Sequence, residues 1–409
     1  MTFKILYISG SIGLGHVTRD ISIVNELRKR RKDIEIVWLA DTPSTAYLRA
    51  AGESVLADME KEIASPNDIC DEQAREYTLN LNTWFLAYYS TFPERVKLIN
   101  SIVERENIDL IVGDETYDLY CEIAKNPKLK IRPFLLILDF IGCHLHDGVE
   151  KKMLPAIMFN TWTYRHIKNF HDKEDTIFIG EVEDVVDEKL RFLLPSRREA
   201  AKRYTKVVGY TLSFNPDTIQ SKAELRKKLG YGPEPLVIVT VGGTAVGAAL
   251  LNKAAEAYPI LKKTIKDLNM VIVAGPRIPT NYVKANDGLK VLGMVPDLYE
   301  HMAAADLVVC SGGGTTTLEL QALNKPFLYF PLLEHFEQSI DVAYHLERNN
   351  IGVKMDYSKT SPEDLAKAVI DNIDKKPNYP KLSWDGVQRI AGHIDTLVTR
   401  IENGELKVA

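Results

Sequence analysis

The stretch DLVVCSGGGTTTLELQALNKPFLYFP, residues 306–331, holds one complete strand–helix–strand unit. Its first part, DLVVCSGGG (306–314), is a short apolar run ending in glycines, which suits a strand buried on both faces. A helix-compatible segment starts near Thr315 and stops at Pro326. FLYFP (327–331) then reads as a second buried strand. Strands joined through a helix rather than a tight turn run parallel. Outward from here the alternation repeats. PLVIVTVGG (235–243), MVIVAG (270–275) and KVLGMV (290–295) precede it, and GVKM (352–355) follows. In the first half FKILYIS (3–9), IEIVWLA (34–40), IDLIVG (108–113), FLLILD (134–139) and VVGY (207–210) read the same way.

This pattern predicts an α/β protein of two tandem Rossmann-like domains, each a doubly wound parallel sheet with helices on both faces. The length agrees, since 409 residues exceed the size at which one core stops growing. The polar segment TLSFNPDTIQSKAEL (211–225) is the expected linker. It sets domains at 1–212 and 213–380, with 381–409 as a final helix packing back on the first. A helix is expected from Ser361, with Pro362 in its first turn and Asp364 completing a capping box. Patterning is weak over 53–92 and 143–205, read as insertions. Within the first of these, Trp84, Phe85, Tyr88, Tyr89 and Phe92 recur at helical spacing and suit a core.

Composition excludes several classes. A net charge of −5 argues against a nucleic-acid partner. Four scattered cysteines without a CxxC pair suit reduced thiols and a cytoplasmic location. No apolar run nears the ~20 residues of a spanning helix, and a strand-like run at Phe3 leaves no room for a signal peptide. Contact with a membrane is therefore peripheral at most. The basic run at 28–32 suits a solvated helix end.

Three strand ends carry glycine loops: 10–15, 242–247 and 312–314. A glycine turn leading into a helix offers free backbone N–H groups and a helix dipole to an anion. In the third loop Glu319 falls one turn beyond Thr315 and Thr316, on their face of the helix. From there a carboxylate can take both hydroxyls of a ribose; the alternative is a surface glutamate on a solvated helix. Downstream, Glu334, His335, Glu337 and Gln338 sit in the loop after the next strand, as sugar-hydroxyl contacts or as a polar loop.

On these motifs the second half resembles the donor-binding domain of GT-B glycosyltransferases. It is similar to the peptidoglycan N-acetylglucosaminyltransferase family and to the natural-product UDP-glycosyltransferases. VGGTAVGA matches the first phosphate loop of that domain, giving Gly243 and Thr244. SGGGTTTLE matches the glycine-rich stretch ending in the ribose-binding glutamate, giving Gly313, Gly314, Thr315, Thr316 and Glu319. EQSIDVA resembles the acidic–Gln element that contacts the donor sugar, giving Glu337 and Gln338. LGMVPDL holds the segment whose backbone flanks the base, near Met294 and Val295. The chain differs from the natural-product enzymes at Ser311, where they carry histidine, and at Asp341, where they carry asparagine. The resemblance implies a nucleotide-sugar donor, UDP-linked by preference, an acceptor left unnamed, no cofactor, no metal, and an interdomain cleft.

The opening loop, ISGSIGLGHVTRD (8–20), is GxxGxG and not the GxGxxG of a dinucleotide fold, although Asp41 stands where an NAD-ribose acceptor would. In the GT-B enzymes the first loop ends in Gly-His, and His16 matches. The resemblance makes His16 the general base and Asp114 the carboxylate that orients it. Helix capping is the structural alternative for both. HLHD (144–147) has ligand residue types but no partner at metal spacing. Two other functions remain open at this point: a sugar-nucleotide 2-epimerase of the same fold, and a non-catalytic subunit binding sugar nucleotide or lipid.

Overall fold

The computed structural model describes residues 2–10, 12–56, 65–145, 150–170, 176–284 and 287–406, with side chains from 154 onward in the helix that opens at 150. It divides into two compact units. The first comprises 1–72, 81–213 and 383–409; the second comprises 73–80 and 214–382.

The first unit is built on six parallel strands: β1 (Phe3–Ile8), β2 (Ile34–Leu39), β3 (Leu110–Asp114), β4 (Phe134–Leu138), β5 (Thr176–Phe178) and β6 (Lys206–Val207). Their order is β2-β1-β3-β4-β5-β6. β5 lay inside a segment read as irregular; three residues are too few for a periodic signal. VVGY narrows to β6, because the chain turns through Gly209 at φ 74°. The final helix, Gly386–Glu402, buries Val387, Ile390, Ala391, Ile394, Leu397 and Val398 in the cluster that holds Val17, Val24 and Leu27 of the helix Gly15–Arg30. That spacing of three and four residues is one helical stripe. Trp84, Phe85, Tyr88 and Phe92 are buried, as core packing requires.

The second unit repeats the plan with β7 (Leu236–Thr240), β8 (Asn269–Val273), β9 (Lys290–Leu292), β10 (Leu307–Ser311), β11 (Phe327–Phe330) and β12 (Val353–Lys354). The order is β12-β11-β10-β7-β8-β9, all parallel. The expected linker is shorter than its composition suggested. Ser221 and Glu224 form a reciprocal capping box that starts the helix Lys222–Leu229 inside this unit. Ser361 and Asp364 form the second such box, with Pro362 in the first turn, as expected. One departure from the sequence division matters most: residues 73–80 lie within the second unit, although elements of the first flank them in the chain. All four cysteines are buried, and none forms a disulfide. Among the described residues no helix is long and apolar enough to cross a membrane.

Candidate functional site

In the first sheet the winding direction reverses between β1 and β3. The carboxyl ends of those neighbours bound a crevice that neither crossover covers, where ligands of open parallel sheets bind. His16 reaches this edge as the second residue of the helix after β1, and Asp114 as the last residue of β3. His16 Nδ1 lies 3.0 Å from Asp114 Oδ2. Neither residue caps a helix: those positions belong to Leu14 and Thr116. A β-carbon at position 10 would stand 2.5 Å from His16 Cγ, so Gly10 is what lets the imidazole lie against the loop.

Three residues complete the group that the sequence reading passed over. Arg19 donates from Nε and Nη2 to the two Asp114 oxygens at 2.9 and 2.6 Å, and from Nη1 to Asp139 Oδ2 at 2.8 Å. Glu115 Oε2 lies 3.7 Å from His16 Nε2 and accepts the Tyr117 hydroxyl at 2.5 Å. The signals were present: Arg19 is one turn from His16, and acidic residues end two neighbouring strands. Arg19 Nη2 also approaches His16 Nδ1 at 2.8 Å, so Nδ1 has both a donor and an acceptor within reach and the tautomer decides between them; where Nδ1 donates to Asp114, Nε2 keeps its lone pair.

The three carboxyls are pushed apart. Burial alone would raise Asp114, but the Arg19 charge and then His16 outweigh it and hold the group below the usual carboxylate range. For Asp139 too, Arg19 outweighs burial and lowers it. Burial pushes Glu115 well above that range, and the Asp139 charge adds to it, so of the three Glu115 holds a proton most readily. His16, Glu115 and Asp139 each bring a ligand atom within 4.8 Å of the other two. Of these three, Asp139 is already engaged by Arg19 Nη1 at 2.8 Å.

In the second sheet the reversal falls between β7 and β10. The two glycine loops of this half follow those two strands. Gly243 and Thr244 are half-buried in the loop before the helix Ala248–Thr264, which Gly247 caps at φ 90°. Gly313 caps the helix Gly314–Ala322, and a β-carbon there would meet nothing within 4 Å. Ser311 Oγ donates to Val241 O at 3.3 Å and ties one loop to the other. A β-carbon on Gly275 would meet Gly242 O at 2.4 Å, so only glycine permits that approach. Two helix starts thus flank one switch point. Thr315 and Thr316 are half-buried in the first turn, and Glu319 is 8% exposed, which removes the surface-glutamate alternative.

The remaining candidates are placed differently. Glu337 and Gln338 open a π-helical turn, Glu337–Val342, rather than lying in a loop. Gln338 is buried, and its Oε1 accepts the Leu332 N–H at 3.0 Å. Val295 follows β9, two strands from β7, and packs on the core of its unit beside exposed Met294. Asp41 is buried in an ion pair with Arg95 at 2.9 Å, which takes away the acid that a dinucleotide reading needs. His144 Nδ1 pairs with Glu188 Oε2 at 2.5 Å; His146 and Asp147 lie outside the described residues.

Residues 236–392 match the glycosyltransferase family 28 C-terminal domain. An uncharacterized glycosyltransferase of Methanopyrus kandleri is 31% identical over 195 residues, 46% of this chain and 54% of that protein, so the match spans about half of the relative. One of Methanosarcina mazei is 28% identical over 92% of both chains. The UDP-N-acetylglucosamine--N-acetylmuramyl-(pentapeptide) pyrophosphoryl-undecaprenol N-acetylglucosamine transferase of Clostridioides difficile is 21% identical over 90% of this chain and 80% of its own length. In fold, the chain is similar to the glycotransferase of kitacinnamycin, with a TM-score of 0.58 at 14% identity over 98% of this chain and 95% of that one. Residues 236–392 therefore match a glycosyltransferase family 28 C-terminal domain, and the chain as a whole shares the GT-B fold of the solved glycosyltransferases.

Proposed function

We propose that the protein moves a sugar from a nucleotide-diphosphate sugar, with UDP as the nucleotide, to an acceptor hydroxyl, inverting the anomeric carbon and using no metal ion. The observation that carries this reading is the pair of glycine-capped helix starts at the β7/β10 switch point. Their N–H groups and dipoles can neutralise a leaving diphosphate, the work a cation would otherwise do. Glu319, buried one turn into the second helix, suits the ribose. The UDP-sugar in the name of the Clostridioides difficile relative supports the choice of nucleotide. His16 takes the proton of the acceptor hydroxyl at Nε2, while Asp114 holds the Nδ1 proton and offsets the imidazolium charge that forms. With His16 as the base, a single displacement by the acceptor oxygen inverts the centre.

UDP added at about 100 times its Kd should raise stability by roughly 2.7 kcal/mol, seen as a rise in Tm, with EDTA present. Glu319→Ala should lose most of that rise. If EDTA abolishes it, or NAD produces it and UDP does not, the assignment is wrong. Turnover by the purified chain rules out a binding subunit.

A second reading has one observation in its favour. Epimerisation needs a proton removed from one face and returned to the other, and Glu115, 3.7 Å from His16 Nε2 with its pKa raised by burial, is a second acid–base group. An epimerised sugar nucleotide formed without any acceptor would establish it.

Peripheral contact with an anionic membrane belongs to the same proposal. The turn at 191–194 exposes Phe192 at 85% and Leu193 at 86%. Lys189 and Arg203 line a shallow pocket with them, and seven of residues 189–206 are Lys or Arg against one acid.

A further inference from the structure

Residues 73–80 leave the unit whose elements flank them and join the other, and their contacts say what they do there. Tyr77 is 1% exposed, and its hydroxyl donates to Phe330 O, the last residue of β11, at 2.7 Å. The Leu333 N–H donates to Tyr77 O at 3.0 Å, and the Leu79 N–H to Leu333 O at 3.1 Å. Residues 77–79 thus add a short parallel strand to the chain just after β11, with Thr78 paired to Leu333. Asn80 Nδ2 donates to Glu334 Oε2 at 2.6 Å. The ring of Tyr77 stacks on Tyr357 at 4.2 Å, and Lys253 holds Tyr357 from the other side with Nζ 3.7 Å from its ring.

Two features of this contact point toward the donor loops. The neighbouring Leu332 N–H is held by Gln338, so the segment between β11 and the π-helical turn is gripped from both sides. Tyr77 also abuts the loop after β7: a β-carbon on Gly247, the cap of the following helix, would lie 3.3 Å from Tyr77 Cε2. One side chain therefore touches the start of a proposed phosphate-binding helix and the strand end that leads to Gln338.

The geometry points to residues 73–80 as a positioning element of the donor site, with Tyr77 as the positioning residue that sets the β7 and β11 loops for the nucleotide sugar. This rests on the donor reading given above. Tyr77 acts through backbone and not on the sugar nucleotide itself.

The test uses the full chain and UDP as probe. Calorimetric titration of wild type, Tyr77→Phe and Tyr77→Ala gives Kd, and hydrogen–deuterium exchange with and without UDP reports on peptides covering 73–80 and 330–338. Tyr77→Phe removes one buried hydrogen bond to a loop carbonyl and should weaken UDP roughly three- to tenfold. Tyr77→Ala should weaken it further, and if that variant fails to fold the phenylalanine variant still decides. UDP should slow exchange in both peptides of the wild type. Tyr77→Phe binding UDP like wild type while melting lower would make 73–80 fold support only and overturn the inference. A wild-type chain that binds no UDP overturns the donor reading first, and this inference with it, so the two failures are told apart.

Discussion

A single hydrogen atom in place of a methyl group at position 10 decides where His16 can sit, because its ring occupies the space a β-carbon would need. Gly10→Ala should therefore displace the imidazole and lower kcat, while UDP affinity, set by loops of the second unit, stays near wild type. His16→Ala should cost about 10²–10⁴-fold in kcat with the same unchanged affinity, the pattern of an interaction made only in the transition state. Wild-type turnover by the alanine variant would show that His16 does not act as the base. Asp114→Asn should be milder, since the imidazole remains but loses the charge that orients it. The same scale explains the role of Arg19. It neutralises buried Asp114 and half-buried Asp139 together, which is how an ionised Asp114 stays buried beside a histidine.

At the scale of elements, each candidate group depends on where a short strand ends. Parallel strands point all their carboxyl ends to one edge, so residues 100 positions apart in the chain meet there. Helix Gly386–Glu402 shows the converse, an element placed by its apolar stripe, with Arg31 pairing to Glu402 at its far end. The turn at 191–194 is held by local bonds from Leu194 N–H to Arg191 O and from Leu190 N–H to Pro195 O, at 3.1 Å each, which keep two apolar side chains in solvent. If it meets anionic lipid, the chain should sediment with phosphatidylglycerol vesicles in low salt and much less with phosphatidylcholine ones. Phe192→Ser with Leu193→Ser should weaken that binding several-fold without changing Tm. Equal sedimentation of the double variant would assign the contact elsewhere.

Across the whole molecule, acid should destabilise both units through buried neutral histidines. Burial holds His335 down to about 4 and His166 to about 3, against about 6.5 when unfolded. The unfolded chain then binds protons that the folded one refuses, so this contribution is complete above about pH 6.5 and is lost as pH falls toward those lower values. For His335 the loss is on the order of 3 kcal/mol. Glu115 works in the opposite sense, since its raised carboxyl gains a proton more readily in the folded state. Denaturant unfolding at pH 7 and pH 5 should show lower stability at pH 5, and His335→Gln should flatten the part of that slope belonging to the second unit. An unchanged slope in the variant would mean that His335 is solvated or paired in solution.

The sequence alone determined the two-sheet α/β plan and the glycine loops at strand ends, because these follow from local periodicity and from motif spacing; the pairing of His16 with Asp114 was expected only from the resemblance to the GT-B enzymes. The capping box at Ser361 was legible for the same reason: it is complete within four residues. The short strand β5 was not legible, since three residues carry no period. Arg19, Glu115 and Asp139 stood in the text of the sequence, but their convergence depends on the order β1-β3-β4, which pairs strands far apart in the chain. The protonation of Glu115 depends on burial, which no single residue specifies. The placement of 73–80 was the least readable of all. Its bonds to Phe330 and Leu333 join positions more than 250 residues apart, and nothing in the local composition of that segment distinguishes a strand of one unit from a loop of the other.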